Sequence, residues 1–181
     1  VSIFGGPLTP NDLVGLTSLY ASSTYWTITN LSGIEAAANL ESIDLTGQIG
    51  LQGFAPLTYL SALHSLNVQG CGLTDAGWIG GLRALNSLDV DGNALMDLSP
   101  LAPLANLAEL SADGNYLTDI DVLPTLPLLV WVNVANNYLD TNATSVAWNV
   151  ITNLTDRGVL VEYDPQFPAP IHPQIVAQPA N

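Results

Sequence analysis

Few residues in this chain have types and spacing suited to chemistry. His64 and His172 stand in unrelated contexts, and neither has a partner at the spacing of a catalytic or metal-binding pair. Cys71 is the single cysteine, which excludes a disulfide framework and a multi-cysteine zinc site. No nucleophile elbow, phosphate-binding loop or dinucleotide-binding motif is present. We therefore expect no catalytic residue and a protein that is not an enzyme.

The segment DVDGN at residues 89–93 alternates carboxylates in a way that is similar to calcium-binding loops. An EF-hand loop needs glycine at its sixth position, whereas Gly92 is the fourth residue here. The triplet DGN recurs at residues 113–115, which favours a repeat over a dedicated ion site. We expect no cofactor and no metal, with calcium as the alternative and Asp89, Asp91 and Asp113 as weak candidate ligands.

Composition excludes several kinds of partner. The 181 residues contain 2 Arg, no Lys and 16 Asp+Glu, for a formal net charge of −14. A chain with so few cations cannot neutralise a run of phosphates, so nucleic acid is excluded. No apolar run approaches the length of a membrane span, so we expect no membrane insertion. The apolar content of 48% excludes a disordered chain.

Internal repeats account for the apolar content. Within each repeat, an L-x-L step has the period of a strand that turns both apolar residues inward. One such unit cannot bury its own apolar face, so neighbouring units must stack into one continuous core. The repeats begin about 22 to 24 residues apart, near Leu16, Leu40, Leu63, Leu85, Leu107 and Leu129.

A polar residue recurs where each predicted strand turns back. Its side chain can bond backbone groups that would otherwise be buried without partners, and so forms a ladder along the stack. The returning segments, such as DLSPLAPL at residues 97–104, contain prolines that forbid a long α-helix. We expect 3₁₀ or irregular turns there. The predicted ladder residues are Gln48, Cys71, Asn93, Asn115 and Asn137.

The 22-residue pattern N-x-L-x-D-L-S-P-L-x-x-L resembles the leucine-rich repeats of the internalin type found in bacterial surface proteins. The resemblance implies a right-handed solenoid of the α/β class, with a concave parallel β-sheet and convex 3₁₀ or irregular turns. The final PQIVAQPAN resembles the opening strand of a bacterial immunoglobulin-like domain. We predict an N-terminal flank over residues 1–15, repeats over 16–142, a capping helix and strand over 143–164, and a proline-rich linker or tail over 165–181.

Aligned repeats place polar and aromatic side chains on the outer face of the predicted sheet, here called the concave face. We predict a non-enzymatic module that binds a protein or a surface glycan through this face. The expected location is extracellular, on the cell surface or secreted. The alternative is a self-associating subunit of an extracellular fibre or surface layer, in which the tail contacts the next copy. The candidate ligand-binding residues are Tyr20, Asp44, His64, Asn67, Asp89, Asp91, Glu109, Asp113, Trp131 and Asn133.

Overall fold

The computed structural model describes residues 13–22, 27–51 and 53–168. In this part of the chain, seven short strands form one parallel sheet in sequence order, as the repeats predict. Each strand contributes three residues. The strands are β1 (Ser18–Tyr20), β2 (Ser42–Asp44), β3 (Ser65–Asn67), β4 (Ser87–Asp89), β5 (Glu109–Ser111), β6 (Trp131–Asn133) and β7 (Leu160–Glu162).

The strands pair without any shift in register. Leu88 lies opposite Leu66 on one side and Leu110 on the other, and Leu110 lies opposite Val132. Because successive side chains alternate between the two faces, the middle residue of each central strand points into the core. The first and third residues therefore form the concave face.

Short 3₁₀ helices form the convex side, which confirms the expectation from the prolines. They span Ile34–Ala36, Ala55–Tyr59, Ile79–Gly81, Ser99–Leu101 and Leu123–Thr125. The second, fourth and fifth of these helices have proline at one of their first two positions, where its missing N–H costs no hydrogen bond. The tight 3₁₀ turn returns the chain to the sheet within one short repeat.

The core is a stack of leucine columns shared by neighbouring coils. Leu40, Leu63, Leu85 and Leu107 have no exposed surface, whereas Leu16 at the start of the column is half-buried. The buried residues form one continuous cluster from Leu31 to Val159. Each coil thus depends on its neighbours for burial, as in other repeat proteins.

A helix and the last strand cover the C-terminal end of the stack, as predicted. The helix α1 spans Val146–Asp156, and the Ser145 side chain caps it by accepting from the Trp148 N–H at 3.0 Å. Its buried face packs against the core, and Gly158 follows with a φ of 85°. The predicted N-terminal flank lies almost entirely in residues 1–12, outside the described residues.

The coil continues past residue 164, where the sequence suggested a linker. The Phe167 N–H donates to the Asn137 carbonyl at 2.7 Å, and the Asn136 N–H donates to the Pro165 carbonyl at 2.6 Å. Residues 165–167 therefore pair with the last repeat, while residues 169–181 lie outside the described residues. No helix in the described part of the chain has the length and apolar character to cross a membrane.

Candidate functional site

A ladder of buried amide side chains holds the turn beside each strand. The Asn115 amide nitrogen donates to the Val90 and Ala112 carbonyls at 3.0 and 3.2 Å, and its oxygen accepts from the Leu95 N–H at 3.0 Å. Asn93 and Asn137 repeat this pattern one coil away on either side. Each amide thus joins backbone groups of neighbouring coils, as the sequence predicts for these positions.

Gln48 and Cys71 occupy the same place in the earlier coils. Gln48 donates to the Ala21 carbonyl and accepts from the Ile28 N–H, both at 2.6 Å. The Cys71 thiol donates to the Leu45 carbonyl at 3.0 Å. Burial raises the pKa of the Cys71 thiol, so it stays protonated and remains a donor.

Sequence reasoning missed one member of this ladder, Gln166. Its amide donates to the carbonyls of Val134 and Tyr163 and accepts from the Asn137 and Leu139 N–H groups, each at 3.2 Å. The spacing becomes informative once Leu160 is known to pair with Trp131, because Gln166 follows Leu160 by the same six residues that separate Asn137 from Trp131. The nearby prolines favoured a linker over residues 165–181, so Gln166 is not among the predicted ladder residues.

The concave face contains most of the predicted binding residues. Tyr20, Asp44, Asn67, Asp89 and Asn133 are register partners in one column, and the column ends at Glu162. Glu109 and Trp131 stand in the neighbouring column, next to Leu160. Asp91 and Asp113 follow β4 and β5 and lie at the carboxyl edge of the sheet.

His64 does not belong to this face. It precedes β3 and lines a shallow groove of about 300 Å³ at the amino edge of the strands. The placement on the exposed strand face is therefore wrong. His64 lies two residues before Leu66, which points inward, so alternation along a longer strand would turn the His64 side chain toward the core. It stays exposed because it lies before the strand begins. Its groove neighbours are Ala84, Asn86, Asn106 and Leu128.

Side chains of the main column organise the turns that follow the strands. The side-chain oxygens of Asp44, Asn67 and Asp89 each accept from the backbone N–H two residues later, all at 2.9 Å. Neighbouring coils are also linked, because the Asn67 amide donates to the Asp89 carboxylate at 3.1 Å. These residues therefore shape the surface as well as line it.

Asp91 and Asp113 are bound in the same manner across coils. The Asp91 carboxylate accepts from the Asp113 N–H at 2.7 Å, and the Asp113 carboxylate accepts from the Asn136 amide at 2.7 Å. Burial raises the pKa of both Asp89 and Asp91 above the usual aspartate value, and neighbouring carboxylates add to the effect. The centre of the face thus holds partly desolvated negative charge.

The same carboxylates are the calcium candidates. Several of their oxygens already accept backbone or amide hydrogen bonds. Within the residues that the structure describes, no three His, Cys, Asp or Glu side chains are grouped so that they could hold a metal ion. Calcium at Asp89, Asp91 and Asp113 stays an untested prediction.

We expect D91N to raise the melting temperature at neutral pH. Burial and the nearby Asp113 charge raise the pKa of Asp91 in the folded state, so its ionised form destabilises the fold. The stability that this carboxyl contributes is present below the ordinary aspartate pKa and is lost as the pH rises through the folded-state value. The advantage of D91N should therefore vanish in acid, as thermal unfolding from pH 7 to pH 3 would show.

D97N is the matched control with the opposite sign. Hydrogen bonds from the Ser99 hydroxyl and N–H lower the pKa of the exposed Asp97 carboxyl. D97N should therefore lower the melting temperature at neutral pH and converge with the wild type in acid. If the melting temperatures of D91N and D97N changed with pH in the same way, the claim that the ionised Asp91 carboxylate destabilises the fold would be wrong.

The C-terminal end of the concave face is apolar and aromatic. The Trp131 ring nitrogen donates to the Glu162 carboxylate at 3.0 Å, which holds the indole on the surface of the sheet. Its register partners are the exposed Leu160 and Glu109. Leu160 is 69% exposed on this face, and Val130, which precedes β6 as His64 precedes β3, is 56% exposed at the amino edge of the strands. A tryptophan among exposed apolar and acidic groups is typical of protein contact surfaces.

Comparison with known proteins shows similarity at the level of structure. No family model matches the chain, and no curated protein matches it. It is similar to an internalin C2 from Listeria monocytogenes, with 28% sequence identity and a TM-score of 0.76, over 91% of this chain and 68% of that one.

Two further structures share the fold. A second internalin of Listeria monocytogenes has 20% sequence identity and a TM-score of 0.57. The match covers 74% of this chain and 45% of that internalin. A leucine-rich-repeat protein of Leptospira interrogans has 24% sequence identity and a TM-score of 0.63. The match covers 72% of this chain and 34% of that protein. With seven parallel strands and 3₁₀ turns in its described part, the chain is a leucine-rich-repeat solenoid with the fold of these bacterial proteins.

Proposed function

We propose that this chain is a non-enzymatic protein-binding module that acts through the concave face. The observation that carries the proposal is the arrangement of exposed side chains on this sheet surface. Tyr20, 74% exposed, stands at one end, and Trp131 with Leu160 stands at the other. The half-buried carboxylates of Asp89 and Asp91 lie between them. Likeness to an internalin C2 at 28% identity supports protein binding as the general role.

The partner we propose is a basic protein with an apolar side chain that packs beside Trp131. The net charge of −14 would attract such a partner over a distance and repel an acidic one. Contact with Trp131 and Leu160 would supply most of the affinity, because large partly buried aromatic residues dominate interface energetics. We propose an extracellular or cell-surface location, supported by the likeness to internalins; a surface glycan is the other partner class.

Self-association is the second candidate. The described residues of β7 pair only with β6, so one side of this strand is an edge, and the exposed Leu160 lies on it. Two copies would each bring a net charge of −14 to the contact, which opposes association at low ionic strength. For this reason a different, basic partner is the proposal that we favour.

We expect W131A to weaken binding to a concave-face partner by at least about tenfold, or about 1.4 kcal/mol. Protein captured from cell-surface extracts on the immobilised chain would be purified, and its Kd measured by titration calorimetry. Y59A is the matched control, because Tyr59 is 72% exposed on the convex 3₁₀ helix Ala55–Tyr59. Equal Kd values for wild type and W131A, or an equal loss with Y59A, would contradict the proposal.

A further inference from the structure

A row of exposed and half-buried aromatic and thioether side chains lies outside the concave face. We call Met96, Tyr116, Tyr138 and Phe167 the aromatic stripe. Its three aromatic residues directly follow the ladder residues Asn115, Asn137 and Gln166 in successive coils. The rings of Tyr116 and Tyr138 stack with centroids 5.9 Å apart, and those of Tyr138 and Phe167 lie 5.5 Å apart. The repeat thus aligns the three rings, whereas Met96 stands three residues after Asn93, at the position that Thr118 occupies in the next coil.

The stripe is more exposed than core packing requires. Met96 is 70% exposed, Tyr116 48% and Phe167 45%. Met96, Tyr116, Thr118 and Tyr138 line a groove of about 370 Å³, in which Thr118 and the phenol hydroxyls supply the only polar side-chain groups. Neither of these phenol hydroxyls has a hydrogen-bond partner among the described residues. Contiguous exposed apolar surface of this kind marks contact sites on otherwise polar proteins.

Carboxylates border the stripe on the convex side. Asp97 follows Met96 and Asp119 follows Thr118, and both line a neighbouring groove together with Asp121. The chain has only two Arg to balance its acidic residues, and Arg157 donates to the Pro124 and Leu126 carbonyls at 2.9 and 3.0 Å. The stripe is therefore apolar, and its convex border is negative.

We propose that the aromatic stripe is a second docking surface, which takes an extended cationic polypeptide segment with alternating apolar and Lys or Arg residues. The apolar side chains and the aliphatic stems of the cations pack on Met96 and the rings, because long cationic side chains bury their stems on apolar surface. Their charged ends reach the carboxylates on the convex border. This surface is separate from the concave face of the proposed function.

The ring geometry favours a peptide over a neutral glycan. A sugar stacks on the open face of an aromatic ring, but the Tyr138 ring lies between the Tyr116 and Phe167 rings. The charge also complements a cationic segment, whereas a neutral sugar would gain nothing from the three carboxylates on the convex border. The row presents ring edges and a thioether, which suit aliphatic stems.

The experiment uses a fluorescein-labelled octapeptide that alternates Lys and Leu, titrated against the chain by fluorescence anisotropy at 20 and 150 mM NaCl. We expect binding that weakens with salt. M96S and D119N should each weaken it by up to about fivefold, because one removes exposed apolar surface and the other an exposed charge. Both residues are exposed, so the fold should survive, which circular dichroism would check.

Controls separate this surface from the concave face. Y59A should bind the octapeptide within twofold of the wild type, a Glu–Leu octapeptide should not bind, and the octapeptide should shift the Tyr116 and Tyr138 amide resonances more than the Trp131 amide resonance. An equal loss with Y59A, unchanged binding by both stripe variants, or absence of binding at 20 mM NaCl would overturn the proposal. Shifts of the Tyr116 and Tyr138 amide resonances with cellohexaose, but not with the octapeptide, would also overturn it in favour of a glycan.

Discussion

The variant N115A should lose about 2–4 kcal/mol of the free energy of unfolding, a larger loss than most single substitutions cause. Asn115 is 2% exposed and lies in the middle of the ladder. Its side chain makes four hydrogen bonds to backbone groups of two coils, at 3.0 to 3.2 Å. Alanine removes all four and leaves a polar-lined gap at the centre of the stack.

The cost falls mainly on one backbone donor. The Val90 carbonyl also accepts from Asn93, and the Ala112 carbonyl also accepts from Asn137, so both keep a partner in the variant. The Leu95 N–H has Asn115 as its hydrogen-bond acceptor and would be buried without one. An unsatisfied buried donor costs about 1–3 kcal/mol, to which the lost bonds and the gap add.

Urea unfolding followed by circular dichroism would measure this loss. N149A is the matched control, because Asn149 is exposed on α1, where alanine is the better helix former. It should change the free energy of unfolding by no more than about 0.5 kcal/mol. A similar, small effect for both variants would show that the ladder does not couple the coils.

G80A should cost about 1–3 kcal/mol or more, because it forces two convex segments apart. Gly80 lies in the 3₁₀ helix Ile79–Gly81, and a Cβ atom there would stand 2.5 Å from the Pro100 carbonyl oxygen. Pro100 belongs to the next 3₁₀ helix, Ser99–Leu101, so the clash is with backbone and no side-chain rotation relieves it. The two coils would have to separate by a substantial fraction of an ångström.

The neighbouring glycine provides the control for this substitution. A Cβ atom on Gly81 would meet the Thr58 side chain at 3.7 Å, which is an ordinary van der Waals contact. G81A should therefore leave the melting temperature nearly unchanged, or raise it slightly by restricting the unfolded chain. The two substitutions are at adjacent positions of the same 3₁₀ helix. A comparable loss of stability in both would mean that replacing glycine in this helix is itself destabilising, which would contradict the steric explanation.

The repeat pattern predicted most of the fold because a solenoid has mainly local rules. Each strand, turn and 3₁₀ helix follows from about 22 residues, and the next repeat imposes the same spacing. Leu88 and Leu110 could be placed in one column from their positions alone, and the structure pairs them. Asn93 and Asn115 could likewise be assigned to the turn, because an apolar core leaves backbone groups there that need a polar partner.

The candidate site was less predictable, since it depends on contacts between coils. Alignment placed Asp89 and Trp131 on the concave face, but it could not show that Trp131 bonds to Glu162, which is 31 residues away. His64 was misplaced, because it precedes the three-residue strand β3 and so lies at the amino edge of the sheet instead of on its concave face. The aromatic stripe was also not predicted, because the contacts among its three rings join residues of different coils.

The sequence by itself determined the solenoid, its repeat length, its acidic character and the column to which most side chains belong. These properties follow from periodicity, since identical units stacked in register must place equivalent residues side by side. Only the tertiary structure decided which groups meet across coils. It placed the Gln166 side chain in the ladder of buried amides and brought the rings of Tyr116, Tyr138 and Phe167 together. The distance between coils and the burial of each carboxylate depend on packing, which no single repeat encodes.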